Sequence, residues 1–375
     1  MKTAFLYSDD FARYSYGPTH PLKPYRLKLT YDLIDAYGLF SLPDAGVIRA
    51  EMAQENDMLL FHEKDYIEAL KAVNHGELIP GAQSYGLGPG DNPVFDGVYD
   101  WSRLITGASL QAADLVARGA CDIAFNIGGG LHHALSQRAS GFCYLNDPVV
   151  AIMSLLKKGE RVAYIDIDAH HGDGVQDAFY ATDRVLTISI HETGTILFPG
   201  TGFEYETGTG KGEGYSVNIP MPPTADDELF VYAFDEIVPS LINTFNPDFV
   251  VTQLGVDSFH GDPLAHLNYT NNGFCKVVRR MKEISPKWVA LGGGGYNIAN
   301  VAKAWTLAWA IMNDIEIPDK IPDEFLRRHE AEGFQSGTVR DPEYAADGER
   351  KGVMSKEVER VIGVIKKKIF IKMGI

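Results

Sequence analysis

The sequence is poor in cysteine, in positive charge and in long apolar runs. Only three cysteines, Cys121, Cys143 and Cys275, occur in 375 residues. They are widely spaced and form no C-x-x-C pair, which excludes a disulfide framework and leads us to expect a reducing compartment, the cytoplasm. Lysine and arginine total 34 against 50 acidic residues, a net charge of −16. That balance argues against phosphate-backbone binding as the main task, so no nucleic-acid partner is expected. The most apolar long stretch, Ala299 to Met312, contains Asn300 and Lys303 and is too short to span a bilayer. It reads as a buried helix, and no membrane partner is expected. The opening MKTAFLYSDDFARYS has a short apolar run cut off by two aspartates, unlike a secretory leader. Phosphate loops are missing too. GGGGY (292–296) lacks a following Lys-Ser/Thr, and GTGKGEG (208–214) does not fit G-x-G-x-x-G.

What remains is ordinary globular material, 45% hydrophobic, with ample apolar residues for a large core. Apolar strands recur at Thr3–Tyr7, Asp122–Ile127, Val162–Ile167, Val185–Ile190, Phe249–Leu254 and Trp288–Leu291, most of them separated by helical periodicity. Continuous apolar strands alternating with helices indicate an α/β protein with a parallel sheet covered on both faces. Helical patterns run over Leu27, Tyr31 and Ile34, over Leu59 to Val73, and over Trp101 to Gly119. A Gly/Pro-rich loop at 78–97 is long enough to suggest a functional role. Neither repeats nor linkers interrupt the chain, so residues 1–375 read as one domain. Its core would span about 1–315. A polar, Pro-punctuated extension follows from about 316, ending in an amphipathic helix with Val358, Val361, Ile362, Ile365 and Ile369 on one side. Lys366, Lys367 and Lys368 on that helix read as a solvated face.

Ligands of open parallel sheets bind beyond the carboxyl ends of the strands, and here those ends are chemically rich. They carry NIGGGLHH (126–133), DIDAHHGDG (166–174), Ser189 with His191, LGVDSFHGDP (254–263) and LGGGGY (291–296). In D-x-D-x-H, Asp166, Asp168 and His170 would share one strand face, at about 3.3 Å rise per residue. Asp168 and His170 can then converge on a metal, with Asp166 a step behind them. Alone, the pair could instead cap the next helix. With Asp257 as a third donor from another strand, two carboxylates and an imidazole describe a catalytic metal site with an open position. Such a site needs a base, and His132–His133 follow a triple glycine. Asp166 and Asp173 are available to accept their ring N–H groups. Tyr296, at the end of its glycine run, can present a hydroxyl to a developing oxyanion or simply pack in the core.

GGGLHHA, SGFCYLND, YIDIDAHHGDGV, FPGTG, LGVDS and LGGGGY together resemble the zinc-dependent histone deacetylases. They are closest to the class I type and its bacterial acetoin-utilisation relatives, in the family's order from HPLKPYR at residue 20 to about Thr306. The resemblance implies the arginase–deacetylase fold: one domain with a central, mostly parallel eight-stranded sheet and helices on both faces. It implies zinc on Asp168, His170 and Asp257, with Fe²⁺ as a possible replacement in the cell. His133, paired with Asp173, would act as general base and then acid; His132, paired with Asp166, would be its electrostatic partner; Tyr296 would donate to the carbonyl oxygen. Gly141, Phe142, Phe198, Leu264 and Gly294 would wall the substrate tunnel, and Asp91 would hold substrate backbone at the rim. Arg26 and Tyr16 to His20 would border the foot of the pocket. One potassium site would use Asp166, Asp168, His170, Ser189 and Ile190, and a second Phe179, Thr182, Val185 and Tyr215, largely through backbone carbonyls.

The expected reaction is hydrolysis of the acetyl amide of Nε-acetyl-lysine in proteins. Departures from the family narrow it. Pro263 and Ala299 stand where two arginines help hold an inositol phosphate in eukaryotic class I enzymes, so no such corepressor complex is expected. Leu264 stands where polyamine deacetylases carry a glutamate, which favours acetyl-lysine over acetylated polyamines. Gly172 follows His171 where dinuclear relatives place a bridging aspartate, so one metal per chain is expected. The alternatives are a deacetylase of small acetylated amines, a non-catalytic acyl-lysine binding module and a dinuclear ureohydrolase.

Overall fold

The structure, a computed structural model, describes residues 2–334, 336–342, 344 and 348–375. Residues 335, 343 and 345–347 of the expected polar extension therefore lie outside the described residues. Eight strands form one sheet: β1 (Thr3–Tyr7), β2 (Ala45–Arg49), β3 (Ile123–Asn126), β4 (Val162–Asp166), β5 (Val185–Glu192), β6 (Ser216–Met221), β7 (Phe249–Gln253) and β8 (Trp288–Leu291). Their order is β2-β1-β3-β8-β7-β4-β5-β6. Every strand pairing is parallel, where the expectation was mostly parallel.

Parallel neighbours need crossovers; α-helices lie between all consecutive strands except β5 and β6, and further helices follow β8. The helices are α1 (Tyr25–Ala36), α2 (Glu55–Met58), α3 (Lys64–Ala72), α4 (Val98–Ala117), α5 (Asp147–Lys157), α6 (Asp173–Phe179), α7 (Asp227–Phe245), α8 (Asn271–Ile284), α9 (Ile298–Met312), α10 (Asp323–Arg328) and α11 (Gly348–Ile365). Helices α1, α9, α8, α7 and α11 pack side by side as one layer, and α4, α5 and α6 as the other. Local chemistry starts several of them. Asn146, Asp226, Thr270 and Asn297 each accept a backbone N–H in the first turn of α5, α7, α8 and α9. Helix α9 is buried from Val301 to Met312, and its Lys303 reaches Asp341 at 2.7 Å. On the last helix Val358, Val361, Ile362, Ile365 and Ile369 are all buried, and Lys366 pairs with Glu236. Among the described residues no helix is long and apolar enough to cross a membrane.

Three local expectations need correction. The helical pattern of Leu59 to Val73 is broken at 59–63. There the His62 ring accepts the Asn146 N–H at 3.0 Å and the Glu63 N–H donates to Ser136 at 2.8 Å, so tertiary contacts displace the intrahelical bonds. Strands β2 and β6 escape the sequence pattern because both are edges: β2 is only partly buried, and β6 contains Pro220, which an edge tolerates. Finally, Asp168 and His170 do not share a face of β4, which ends at Asp166. The Asp166 carboxylate accepts the Asp168 N–H at 3.1 Å and the Asp168 carboxylate accepts the His170 N–H at 3.0 Å. Two successive Asx turns bend the chain out of the strand.

The register places the site. Asn126 pairs with Leu291, Leu291 with Gln253, Gln253 with Asp166 and Asp166 with Ser189. The last residues of β3, β8, β7 and β4 thus stand in one row, and the loops beyond them meet over the middle of the sheet.

Candidate active site

Asp168, His170 and Asp257 come together in the loops just beyond this row, all buried, with one ligand-capable atom of each within 4.8 Å of the others. His170 Nδ1 lies 3.2 Å from Asp168 Oδ1 and 2.9 Å from Asp257 Oδ2. The opposite oxygens are anchored. Asp168 Oδ2 accepts from Gln253 Nε2 at 2.6 Å and from the Gly294 N–H at 2.7 Å, and Asp257 Oδ1 accepts the Ala169 N–H at 2.8 Å. Asp257 thus has one oxygen fixed and one turned toward the common centre, while Asp168 is held at both oxygens, its Oδ1 accepting the His170 N–H as it faces His170 Nδ1. Burial and the charge of Asp168 raise Asp257 to about 7. Burial opposes a charged His170, yet Asp257 and Asp168 still raise it well above its ordinary value. Such a centre attracts positive charge, and the two oxygens with one imidazole fit a divalent ion. Among the described residues this is the one such cluster.

Backbone must pass very close to these groups, which explains the glycines. A Cβ on Gly294 would sit 2.1 Å from Asp257 Oδ2 and 2.7 Å from Asp168 Oδ2. Gly141 has φ +50, and a Cβ there would lie 2.4 Å from the His133 ring.

The two adjacent histidines of the β3 loop form the second layer of chemistry. His132 Nδ1 lies 2.7 Å from Asp166 Oδ2, His133 Nδ1 lies 2.6 Å from Asp173 Oδ1, and the two Nε2 atoms are 3.0 Å apart. Asp166 Oδ2 also accepts from the Tyr164 hydroxyl at 2.7 Å. The environments separate the pair. Burial lowers His132, but Asp166 and Asp168 outweigh it and raise the group to about 9. Burial and the neighbouring His132 hold His133 below its ordinary value, despite Asp173. The surroundings thus favour the charged form of His132 and the neutral form of His133.

Tyr296 faces the same space. Burial, then Asp257 and Asp168, keep its hydroxyl protonated far above the usual range. Its loop is clamped from two sides. Asp262 Oδ2 accepts the Tyr296 N–H at 2.8 Å, and the buried Arg26 donates to the Gly295 and Gly293 carbonyls, each at 2.6 Å. Asp262, Gln253, Tyr164 and Asp147, whose carboxylate takes the Gly130 and Leu131 N–H groups, were not singled out from the sequence. The available signal was a polar residue ending an apolar strand for Gln253, and an Asp-Pro pair in the motif loop for Asp262.

Above the cluster opens a cavity of about 220 Å³ lined by Asp91, Gly141, Phe142, Phe198 and Leu264, with His133, His170 and Tyr296 at its depth. The Phe198 ring stands 5.1 Å from that of His133, and the Phe142 ring 5.7 Å from that of Tyr296. Gly294 lines an adjoining foot cavity of about 20 Å³ with Arg26, Leu22 and Cys143, which shares His133, Gly141, Phe142 and Tyr296 with the first. Tyr16 and His20 stand behind Phe142: Tyr16 donates to its carbonyl at 2.7 Å, and the His20 ring is 4.5 Å from its ring. Of the residues considered for potassium, Ser189 and Ile190 lie on β5 beside Asp166. Phe179 closes α6, Val185 opens β5, the Thr182 N–H donates to the Phe179 carbonyl at 3.2 Å, and the Tyr215 carbonyl accepts from Thr187 at 2.9 Å.

Comparisons with known proteins bear on the family and the fold. The family described as the histone deacetylase domain matches residues 20–312. The chain is 43% identical over 324 residues to histone deacetylase 1 of Homo sapiens, covering 86% of this chain and 66% of that protein. It is 42% identical to probable histone deacetylase 1-B of Xenopus laevis, covering 67% of it. The chain thus spans about two thirds of the length of these relatives. A crystal structure of a histone deacetylase homologue from Aquifex aeolicus superposes with a TM-score of 0.89 at 36% identity, covering 98% of this chain and all of that one. A homologue complexed with SAHA superposes with a TM-score of 0.87 at 36% identity, with the same coverage.

Proposed function

The chain belongs to the histone deacetylase family, and from that premise we propose that it hydrolyses the acetyl amide of Nε-acetyl-lysine in proteins, using one bound metal ion. The observation that carries this reading is the buried Asp168–His170–Asp257 cluster at the floor of an apolar tunnel, flanked by two histidines each bonded to its own aspartate and by one tyrosine hydroxyl.

Asp168, His170 and Asp257 would hold zinc, or Fe²⁺ with the same donors. When bound, the ion supplies a Lewis acid for the amide carbonyl and makes the attacking water more acidic. The chain's own residues do the rest. Phe142, Phe198 and Leu264 take up the lysine stem, whose four methylenes contribute roughly 3 kcal/mol at about 0.8 kcal/mol each. Tyr296 donates its hydroxyl to the carbonyl oxygen as negative charge develops there. His133, neutral and oriented through Nδ1 by Asp173, takes a proton from the attacking water at Nε2. It then returns that proton to the lysine nitrogen as the C–N bond breaks. The charged His132, held by Asp166, disfavours a second positive charge at 3.0 Å, so His133 passes its proton on readily. Potassium at the two carbonyl sites named above belongs to the same proposal, as does a reducing cytoplasm, which the three buried free cysteines suit.

The test is a panel of acetyl-lysine peptides and acetylated polyamines, with metal analysis of the same sample. We expect acetate release from peptides, one metal per chain and inhibition by a hydroxamate chelator. Turnover of polyamines alone would replace the substrate class. No turnover of either, with one metal bound, would make the chain an acyl-lysine binding module.

A further inference from the structure

Beside the tunnel mouth lies a second, larger concavity of about 650 Å³, bounded by residues 86–92 on one side and 138–141 on the other. It shares Asp91, Gly141 and Phe198 with the tunnel, so a chain whose lysine enters the tunnel can lay neighbouring residues here. Its volume suits a few residues. The walls are preset by backbone bonds. The Ala139 N–H donates to Tyr85 at 2.9 Å, the Gly88 N–H to Asn92 at 3.0 Å and the Leu135 N–H to Arg138 at 3.0 Å, while His20 Nε2 holds the Asp91 carbonyl at 3.2 Å. Gly86 lets the two walls touch: it has φ +69, and a Cβ there would be 2.1 Å from the Ala139 carbonyl oxygen.

Two charged side chains line this groove, Asp91 and Arg138. Both are exposed, and neither side chain makes a hydrogen bond or ion pair among the described residues. An uncommitted guanidinium is notable on a chain with a net charge of −16. Asp91 suits peptide N–H groups, and Arg138 suits a carboxylate, which its fork can bind through two N–H groups.

We propose that Arg138 is a specificity residue that selects substrates with an aspartate or glutamate close to the acetyl-lysine. Its positive charge also disfavours polycationic acetylated amines at the same mouth. This inference rests on the deacetylase reading above and narrows its substrate class to acetyl-lysine in an acidic context.

The experiment compares kcat/KM for three acetyl-lysine peptides alike except for flanking Glu, Ala or Lys. Wild type, Arg138→Ala and Arg138→Glu are assayed at low and high salt. An exposed ion pair in water is worth a factor of about two to five, carried mainly by KM and weakened by salt. Wild type should rank Glu above Ala above Lys, Arg138→Ala should level the ranking and Arg138→Glu should invert it. The Ala peptide should keep its kcat in all three proteins. A ranking that is flat in wild type, or unchanged in Arg138→Glu, overturns the proposal while leaving deacetylation intact. Failure of wild type to act on any of the three peptides overturns both.

Discussion

Gln253 offers a way to perturb the metal centre without touching a ligand. Its side chain is fully buried; Nε2 donates to Asp168 Oδ2 at 2.6 Å and to the Gly130 carbonyl at 3.3 Å, and Oε1 accepts the Gly255 N–H at 2.7 Å. Gln253→Leu keeps the volume and removes all three bonds. Asp168 Oδ2 would retain only the Gly294 N–H, so the carboxylate, still held at Oδ1 by the His170 N–H, would be oriented less tightly. Loss of a residue that orients a ligand weakens metal binding by about 10- to 100-fold, equivalent to about 1.4–2.8 kcal/mol. The orphaned Gly130 and Gly255 groups add a separate cost of about 1–3 kcal/mol each to folding. The two effects are read separately: zinc affinity by titration against a competing chelator, and folding by thermal unfolding in excess chelator. We expect both to fall. If the variant lost stability but bound zinc like wild type, Asp168 would not be a ligand oriented by Gln253, and the assigned centre would be wrong.

Tyr296→Phe should lower kcat by about 10²–10³, the usual cost of one oxyanion donor, with metal content unchanged; full activity would remove Tyr296 from the chemistry. Because burial and His132 hold His133 below 6.5, the acid limb of the kcat/KM–pH profile should lie below pH 6.5. A bound cation moves it further in the same direction, so an acid limb above pH 7 would exclude His133 as the base. In metal-free protein, Asp257 keeps its proton to about pH 7 while its unfolded form loses it near 4. Stability should therefore fall as pH rises from about 4 to 7. His170, raised well above its ordinary value, contributes stability that is full below its unfolded value and declines as pH rises from there through its folded one. Asp257→Asn should flatten the lower slope and abolish metal binding; an unchanged slope would show that Asp257 is not the strained group.

Much of the fold is legible because buried parallel strands are continuous apolar runs, and six of the eight announce themselves that way. The other two are edges, where half-burial and Pro220 blur the pattern. The candidate site is legible for a different reason: its residues cluster at strand ends within short motifs. Yet the geometry assumed for D-x-D-x-H was wrong, since Asx turns rather than strand alternation bring Asp168 and His170 together. What stayed hidden was the supporting shell. Gln253, Asp262 and Asp147 act on partners far away in sequence or on another loop, Tyr164 reaches Asp166 two residues along its own strand, and single polar residues in apolar surroundings give no hint of which atom they will hold. Arg138 was equally silent, because an exposed arginine gains meaning only from the groove it faces.

The most direct test of the whole account is acetate release from an acetyl-lysine peptide by protein stripped of metal and then titrated with zinc. Activity should be absent at the start, rise linearly and stop at one equivalent per chain, and Asp257→Ala should not recover at any ratio near one. Hydrolysis by the stripped protein, or a rise that continues to two equivalents, would contradict a single ion held by Asp168, His170 and Asp257.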